Sequence, residues 1–535
     1  MRGAKKSLMD VLAASLCLAT AACGDDIPSQ TEEDSTGTSV APTTAASDDA
    51  ADGAPATDTG EAPPTTATVT HSWGVTTMSP LQESEPCIQW TLENEQAIYV
   101  NAVTLTNDGG FHHSNWFAVP EDKFPGPDGF FKCGDRDFAE IDAAVSGTVL
   151  TAQSTQSRYE KMELPEGVVV KIPPRHKIVA GGHLLNLANA EFQSELRMSL
   201  DLIHPRDVEV VTAPFRMTYY DLHIPAGGEA RFSSQCDFNS VHELTTGEPL
   251  ALKLYYVLPH YHYLGNYFDL SVWGGPQDGE NVFRLDGFNA DANGGAITPP
   301  LDMAGATGFN FTCGFDNWRD FEIVWGIGDN EMCVMLGLAD MGVMMDGTVY
   351  DDSSIVGEQD GILLNEGPCT VIGLPKNAAQ QPPTQEEIDG ELYVPPTDPA
   401  DEGLEPVDMC VDTPADAEPV VAPTFTNVRE TLFSSTCVFS SCHGVGGAAA
   451  GLDFLAPDLH DTLLSRMPIS ADTAMPLVEP GEPDNSWLYQ VISQCQPTDD
   501  AGTVRPHMPL NAPELADPRM VAVVRDWIAA GAPND

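Results

Sequence analysis

The sequence predicts a mainly β protein, in which two tandem antiparallel β-sandwiches of jelly-roll-like form are followed by a small all-α domain. From residue 71 to residue 375, short alternating runs are separated by Gly, Pro, Asn and Asp, which is typical of all-β sandwiches. Beyond a stretch rich in Pro, Gln, Glu and Asp, apolar residues recur at helical spacing. A length of 535 residues suggests about three to four domains, because one core cannot serve so long a chain.

The change of texture along the chain predicts the segment boundaries. We expect a signal peptide at 1–23, a disordered acidic, Thr- and Pro-rich tether at 24–69, sandwiches at 70–209 and 210–376, a linker at 377–423 and an α domain at 424–535. The tether has almost no large apolar side chain, so it cannot bury enough surface to offset its ordering entropy. Strand-like runs occupy 97–105, 167–172, 251–257 and 321–325, and helical spacing covers 424–435 and 515–530.

The N-terminus has the pattern of an export signal. Arg2, Lys5 and Lys6 precede an apolar run, and the sequence Ala-Thr-Ala-Ala-Cys ends at Cys23. This ending resembles a bacterial lipobox, which predicts lipidation of Cys23; ordinary secretion is the alternative. We therefore expect an exported, lipid-anchored protein at the bacterial outer membrane, in the periplasm or at the cell surface.

The chain is strongly acidic, with 24 Lys and Arg against 80 Asp and Glu and a formal net charge of −56. Such a surface repels nucleic acid and anionic lipid headgroups. We therefore expect no nucleic-acid partner, and membrane contact only through the N-terminal lipid.

The histidines are the candidate metal ligands. His260 and His262 are two residues apart, so on a strand their rings leave the same face and can bind one metal. A thioether from Met332 as third ligand would favour copper. His112 and His113 follow a Gly pair, as does His183, and glycine lets the backbone leave regular strand geometry so that these rings converge.

In this order, the His-His pair, the later His, the His-Tyr-His triplet and the Met-Cys pair resemble the copper type II, ascorbate-dependent monooxygenases, which include peptidylglycine α-hydroxylating and dopamine β-monooxygenase. The resemblance covers residues 71–375. It implies two sandwiches with one copper each across a solvent-filled cleft. His112, His113 and His183 would hold the electron-storing copper, and His260, His262 and Met332 would form the catalytic, oxygen-binding copper site. It also implies hydroxylation of a C–H bond with O2, with ascorbate or another redox donor as reductant.

The resemblance also suggests disulfides. The chain has 12 cysteines, and setting aside Cys17 and Cys23 leaves ten, an even number in an exported protein. The family pattern implies the pairs Cys87–Cys133, Cys236–Cys369 and Cys313–Cys333, although six cysteines alone allow 15 pairings. Cys410 and Cys495 remain, and we pair them as a link between the linker and the last domain.

Three positions depart from the peptide-amidating members of this family. Leu258 stands where those enzymes have an Arg for the substrate carboxylate, and Val334 and Leu336 replace their Asn and Tyr. A buried carboxylate would lack a partner here, which is costly. We therefore expect a neutral or hydrophobic small organic substrate rather than a peptide C-terminus.

The C-terminal segment contains a Cys-x4-Cys-His motif at Cys437, Cys442 and His443. Two thiols can attach haem covalently while the His provides the proximal nitrogen. With Met508 as sixth ligand, residues 425–534 resemble a class I-like c-type cytochrome that binds haem c. A Cys437–Cys442 disulfide without haem is the alternative, and His507 is a rival axial ligand.

Together these features predict an exported copper-dependent monooxygenase with two mononuclear copper sites and a fused haem domain as an electron source. A non-catalytic copper and haem electron-transfer or surface-binding lipoprotein is the alternative function. A disulfide-linked structural surface protein would retain no metal.

Overall fold

A computed structural model describes residues 64–535 except for short gaps at 81, 109, 154–158, 187–190, 263, 287–293, 318, 320, 327–329, 375–376, 398–400, 402–409, 439–442, 445–450, 469–470, 472, 501, 506 and 510–514. The predicted signal peptide, with Cys23, lies outside these residues. Strands account for 43% of the protein and helices for 18%, and the strands form several antiparallel sheets. The prediction of a mainly β protein is thus confirmed.

The N-terminal β region, residues 66–211, contains two six-stranded sheets within its described part. Sheet I has the order β1-β11-β4-β9-β12, with β8 on β4, and sheet II has the order β6-β3-β10-β5-β7, with β2 on β10. Their strands are β1 Thr66–Met78, β2 Glu83–Ser84, β3 Pro86–Thr91, β4 Ile98–Asn107, β5 Phe111–Pro120, β6 Gly129–Lys132, β7 Thr148–Gln153, β8 Tyr159–Glu163, β9 Val168–Ile172, β10 His176–Leu185, β11 Phe192–Ile203 and β12 Val210–Val211.

One hydrophobic core joins sheets I and II. Alternation along each strand places one set of side chains inward, for example Met198 of sheet I and Trp116 of sheet II, both fully buried. The opposite face of sheet II carries Phe117 and Val119, which pack beneath helix α1, Glu140–Ser146. Strand β1 begins at Thr66 and pairs with β11, so four residues assigned to the tether from composition belong to sheet I.

The second β region, residues 213–374, contains two further six-stranded sheets and a short pair, β14 with β21, within its described part. Sheet III has the order β19-β16-β22-β13-β23-β26 and sheet IV the order β18-β17-β20-β15-β25-β24. Their strands are β13 Ala213–Tyr219, β14 His223–Ile224, β15 Gly228–Asp237, β16 Lys253–His260, β17 Gly265–Trp273, β18 Asn281–Asp286, β19 Gly295–Asp302, β20 Gly308–Asn317, β21 Ile323–Val324, β22 Val334–Ala339, β23 Met344–Val349, β24 Ser354–Gln359, β25 Ile362–Glu366 and β26 Thr370–Leu374.

A second core lies between sheets III and IV. Phe215, Met217 and Tyr219 of β13 point into it and meet Phe309 and Phe311 of β20. Because side chains alternate on a strand, the even-numbered residues of β13 lie on the opposite, outer face of sheet III. Helix α2, Phe238–Thr246, follows β15 and begins at an Asp237 cap.

The predicted linker packs against the N-terminal β region. Helix α3, Gln385–Asp389, places Glu387 beside Lys171, with 3.6 Å between Oε1 and Nζ. Further along, Tyr393 accepts the Glu95 N–H at 2.9 Å, and Asp401 pairs with His71 at 2.8 Å. We call residues 377–397 together with Asp401 the strap, since they lie along this region rather than away from it.

The described part of the C-terminal segment is mostly helix and turn around a core of its own. Its helices are α4 Phe425–Val428, continued by a π-helix at Arg429–Cys437, α5 Leu459–Ser465, α6 Trp487–Ser493 and α7 Pro518–Ala529. In α7, Val523, Val524, Trp527 and Ile528 are buried in this core, as their spacing predicts. Among the described residues, no helix has the length and apolar character needed to cross a membrane.

Four disulfides link the described part of the chain. The bonded pairs are Cys87–Cys133, Cys236–Cys369, Cys313–Cys333 and Cys410–Cys495, with S–S distances from 2.00 to 2.11 Å. These are the pairs named from the sequence.

Candidate metal centre

The first histidine group lies where β5 and β10 pair on sheet II. The antiparallel register places His183 opposite His113, whereas Leu184 lies opposite Phe111. His112 is therefore the extra residue of a β-bulge. Adjacent side chains on a regular strand point to opposite faces, and a bulge is the departure from that geometry that the predicted convergence of His112 and His113 requires. The side chain of His112 lies outside the described residues. His113 Nε2 and His183 Nδ1 are 3.3 Å apart.

The second group lies where β16 ends. After His260, the ring of Tyr261 turns into the core of the second β region, where it is 1% exposed. A Cβ at Gly265 would lie 1.9 Å from that ring, so only glycine permits this close packing. With Tyr261 held inside, His260 and His262 lie on the same side, and their ring centroids are 5.3 Å apart.

Met332 lies beside the second group. In the ladder of β16 and β22, His260 is paired with Val334, and both His262 and Met332 lie two residues beyond this last pair. The carboxylate of Glu331 joins the two: its Oε2 accepts the N–H of His262 at 2.8 Å and that of Met332 at 3.2 Å. Its Oε1 accepts the N–H of Leu264 at 2.8 Å.

Sequence reasoning missed Glu331, which is fully buried. Burial raises its pKa to about 8, while the three backbone N–H groups favour the ionised form and act in the opposite direction. The signal available in the sequence was its position directly before the predicted thioether ligand. Its three backbone bonds position the second group without coordinating a metal.

The rings of the second group are held neutral. Burial lowers the pKa of His260 to about 3, with the neighbouring His262 acting in the same direction. Burial likewise lowers the pKa of His262 to about 4. His262 Nδ1 faces the carbonyl of Asn330 at 2.7 Å, so Nδ1 carries the proton and Nε2 carries a lone pair. That Nε2 is buried and has no hydrogen-bond partner among the described residues.

The structure brings the two groups together. The ring of His113 lies 5.8 Å from that of His260 and 6.2 Å from that of His262, between centroids. His113, His183, His260 and His262 therefore form one histidine cluster, whereas the family resemblance implies two sites across a solvent-filled cleft. The difference arises because the outer faces of sheets II and III meet at this point.

The donors fit copper. Neutral imidazoles with a thioether suit a metal that alternates between Cu(I) and Cu(II), and the buried Nε2 of His262 lacks another partner in the described chain. Within the described ranges, no three His, Cys, Asp or Glu side chains are arranged to hold one metal ion. The predicted sites do not require such a triplet, because one contains two histidines and a thioether and the other includes the undescribed side chain of His112.

A polar group next to the histidine cluster was also missed by sequence reasoning. Asn115 lies two residues beyond His113 and donates to Glu140 Oε1 at 3.0 Å. On the facing sheet III, Arg216 forms a bidentate ion pair with Asp346 at 2.9 and 3.0 Å. Arg216 acts electrostatically on both Glu140 and Tyr220, so the two sheets contribute to one group. We call Asn115, Glu140, Arg216, Tyr220 and Asp346 the Arg216 cluster.

The three positions that depart from the peptide-amidating enzymes lie close to these residues. Leu258, Leu336 and Arg216 occupy one row across sheet III. Leu258 is packed into the core of the N-terminal β region, whereas Val334 and Leu336 are half-buried.

In the C-terminal segment, two of the predicted haem-binding residues are adjacent. The N–H of His443 donates to the carbonyl of Cys437 at 2.9 Å, and the His443 ring stacks on Phe454 at 4.5 Å. Its Nδ1 faces the Leu452 carbonyl at 3.2 Å, which places the proton there and the lone pair on Nε2. Met508 packs against the same core as Cys437.

These donors fit a haem. Cys437 carries a free thiol, and burial raises its pKa to about 12. Cys442, its partner both in the motif and in the alternative disulfide, lies outside the described residues. His507, the rival axial ligand, has a buried Nδ1 with no hydrogen-bond partner in the described chain.

Comparison with known proteins adds no family. No protein-family model matches the chain, and no curated protein matches it. Among solved structures, the PBSX exported protein XepA is 7% identical to this chain, with a TM-score of 0.14. The alignment covers 51% of this chain and 86% of XepA. VP2 in the subviral particle of infectious bursal disease virus is 9% identical, with a TM-score of 0.13, and the alignment covers 52% of this chain and 72% of VP2. Similarity this low carries no argument, so the functional case depends on the site itself.

Proposed function

We propose that this chain is an exported copper-dependent monooxygenase that hydroxylates a C–H bond of a small organic molecule with O2. The observation that carries the proposal is the position of Met332, whose backbone N–H donates to the same Glu331 oxygen as the N–H of His262. Two neutral imidazoles and one thioether at the end of a strand pair form the donor set expected for an oxygen-activating copper.

Each residue of this site has a distinct role. His260, His262 and Met332 would hold the copper that, when bound, supplies the reduction of O2 and the oxidation of the substrate. His262 Nδ1 keeps its proton and donates it to the Asn330 carbonyl, which would leave the lone pair of Nε2 for the metal. Glu331 fixes the backbone on both sides, and Cys313–Cys333 fixes the residue next to Met332.

A second copper would be held by His112, His113 and His183 and would store an electron. Because His113 lies 5.8 Å from His260, the two ligand sets are neighbours. The second electron source is the C-terminal segment, which we propose is a cytochrome c-like domain binding haem c through Cys437, Cys442, His443 and Met508. Ascorbate or another redox donor would reduce the protein.

The fold supports the same assignment. Sheets I and II share one core and sheets III and IV another, as two tandem jelly-roll-like sandwiches would. We further propose that Cys23 is lipidated and that the protein is anchored on the bacterial outer membrane or cell surface.

The test is metal and haem analysis of the full chain expressed in a periplasm, followed by substrate-dependent O2 uptake. Two coppers and one haem per chain are expected. His262→Ala should lose one copper, whereas His242→Ala, which removes a buried histidine bonded to the Glu248 carbonyl, should keep both. Copper and haem without O2 uptake across a substrate library would contradict the oxygenase and favour electron transfer.

A further inference from the structure

An aromatic group lies near Met332. Tyr219, the last residue of β13, donates its N–H to the Cys333 carbonyl at 3.0 Å, and Trp325 forms a β-bridge with Glu331. Tyr220 and Trp325 therefore lie close to the segment that carries Met332. The Tyr220 ring stacks on Tyr350 at 5.3 Å and contacts Trp325 at 4.4 Å. Tyr350 is 52% exposed, so this aromatic group opens to solvent at the edge of the candidate copper site.

Two polar side chains, Arg216 and Thr218, precede the aromatic group on β13. Thr218 is 1% exposed, and its hydroxyl has no hydrogen-bond partner among the described residues, although a buried unpaired hydroxyl is costly. Asp346 neutralises Arg216 through two hydrogen bonds. Burial raises the pKa of Glu140, which favours its neutral form, and Asn115 donates to it. The half-buried Val334 adds an apolar surface between these groups and the histidines.

We propose that Thr218, the Arg216 cluster and the Tyr220–Trp325–Tyr350 group form the substrate cradle, and that it takes an uncharged molecule with an apolar ring and one hydroxyl or amide group. The ring lies on the aromatic group beside Met332, and the polar group bonds to Thr218 and Asn115. A charged group would enter beside Arg216, whose charge is already paired with Asp346, and its desolvation would go uncompensated. This inference rests on the proposed function, because it assigns the substrate of the same copper site.

The experiment compares three probes that share one apolar body and differ in charge: 3-phenylpropan-1-ol, 3-phenylpropylamine and 3-phenylpropionate. Binding to the full secreted chain is measured by calorimetry, both metal-free and copper-loaded. We expect the alcohol to bind about tenfold more tightly than either charged probe. Equal binding of all three, preference for a charged probe, or no binding of the alcohol overturns the proposal.

Two variants test the residues. Thr218→Val should weaken alcohol binding about three- to tenfold and leave the charged probes unchanged. Asp346→Asn frees the Arg216 guanidinium, so 3-phenylpropionate should gain about tenfold or more. The matched control is Asp269→Asn, which removes the partner of Arg284 on sheet IV at 3.9 Å and should not change the order of the probes. Unchanged binding in both cradle variants overturns the assignment.

The outcome separates the cradle from the oxygenase. Selective alcohol binding without O2 uptake would contradict the proposed oxygenase activity and support the cradle. O2 uptake with a compound that the charge comparison excludes would support the oxygenase activity and contradict the cradle.

Discussion

Glu331 Oε2 accepts the backbone N–H of His262 at 2.8 Å, and the same oxygen accepts the N–H of Met332 at 3.2 Å. One buried carboxylate thus connects the strand end that presents two histidines with the segment that presents the thioether. The geometry of the candidate copper site depends on this residue as much as on its ligands.

Replacing this carboxylate should loosen the site. Glu331→Ala leaves three backbone N–H groups without acceptors, and we expect the free energy of unfolding to fall by about 3 kcal/mol or more. Urea unfolding measures this loss, and copper titration should show weaker binding. The control is Glu322→Ala, which removes a carboxylate on a side chain that is 56% exposed, and it should leave the free energy of unfolding and the copper affinity unchanged. A stable Glu331→Ala protein with normal copper affinity would refute the positioning role.

The Cys313–Cys333 disulfide should act on both stability and copper binding. It closes a loop with a sequence separation of 20, and replacing both cysteines by serine should cost about 3 kcal/mol. Because Cys333 follows Met332, copper affinity at the His260–His262 site should fall as well. Removing Cys87–Cys133, with a separation of 46, should destabilise the chain while leaving that affinity intact. Equal loss of copper in the two variants would contradict this prediction.

The strap should depend on one ion pair. Lys171 is 7% exposed at its side chain, and Glu387 of helix α3 is its partner at 3.6 Å. Glu387→Gln leaves the ammonium group without its carboxylate, so we expect a loss of about 1–3 kcal/mol and faster proteolysis within the strap. Glu163→Gln breaks the more exposed pair with Lys161 and should change stability by less than about 1 kcal/mol. Proteolysis at wild-type rate in Glu387→Gln would count against a docked strap.

Stability should also fall in mild acid through His176. Burial lowers the pKa of this residue below its ordinary value of 6.5, so the folded state keeps the ring neutral. As pH falls below 6.5, the unfolded chain takes up the proton first, and the free energy of unfolding decreases by at most about 1.4 kcal/mol per pH unit from this group. His176→Gln should therefore have a shallower pH slope between pH 7 and pH 5 than the wild type. The exposed His223→Gln serves as control, and an unchanged slope in His176→Gln would contradict the assignment.

Local patterns predicted several strands well. Alternation identified the strands Ile98–Asn107, Val168–Ile172 and Lys253–His260, and the chain passes from one β region to the other between Val211 and Ala213. Spacing also identified His260 and His262 as neighbours, although β16 ends at His260 and the inward Tyr261, rather than strand alternation, leaves both rings on one side.

Contacts between distant segments could not be predicted in this way. Glu140 and Arg216 meet only because the outer faces of sheets II and III pack together, and nothing in either local sequence indicates it. The strap has the composition of a free linker, yet its Glu387 forms an ion pair with the buried Lys171, which is distant in the sequence. The joining of the four histidines into one cluster is likewise a consequence of packing between two regions that the sequence describes separately.

The most direct test of the site is replacement of the Met332 thioether. Met332→Leu keeps the apolar volume but removes the soft sulfur donor, so Cu(I) affinity at His260 and His262 should fall by about tenfold or more. The histidines of β5 and β10 are unchanged, and one copper should remain bound while substrate-dependent O2 uptake is lost. Met345→Leu, a buried core substitution on the same sheet, is the matched control and should keep both coppers and activity. Normal O2 uptake by Met332→Leu would show that the thioether has no role in the chemistry, even though Glu331 holds the backbones of Met332 and His262 together.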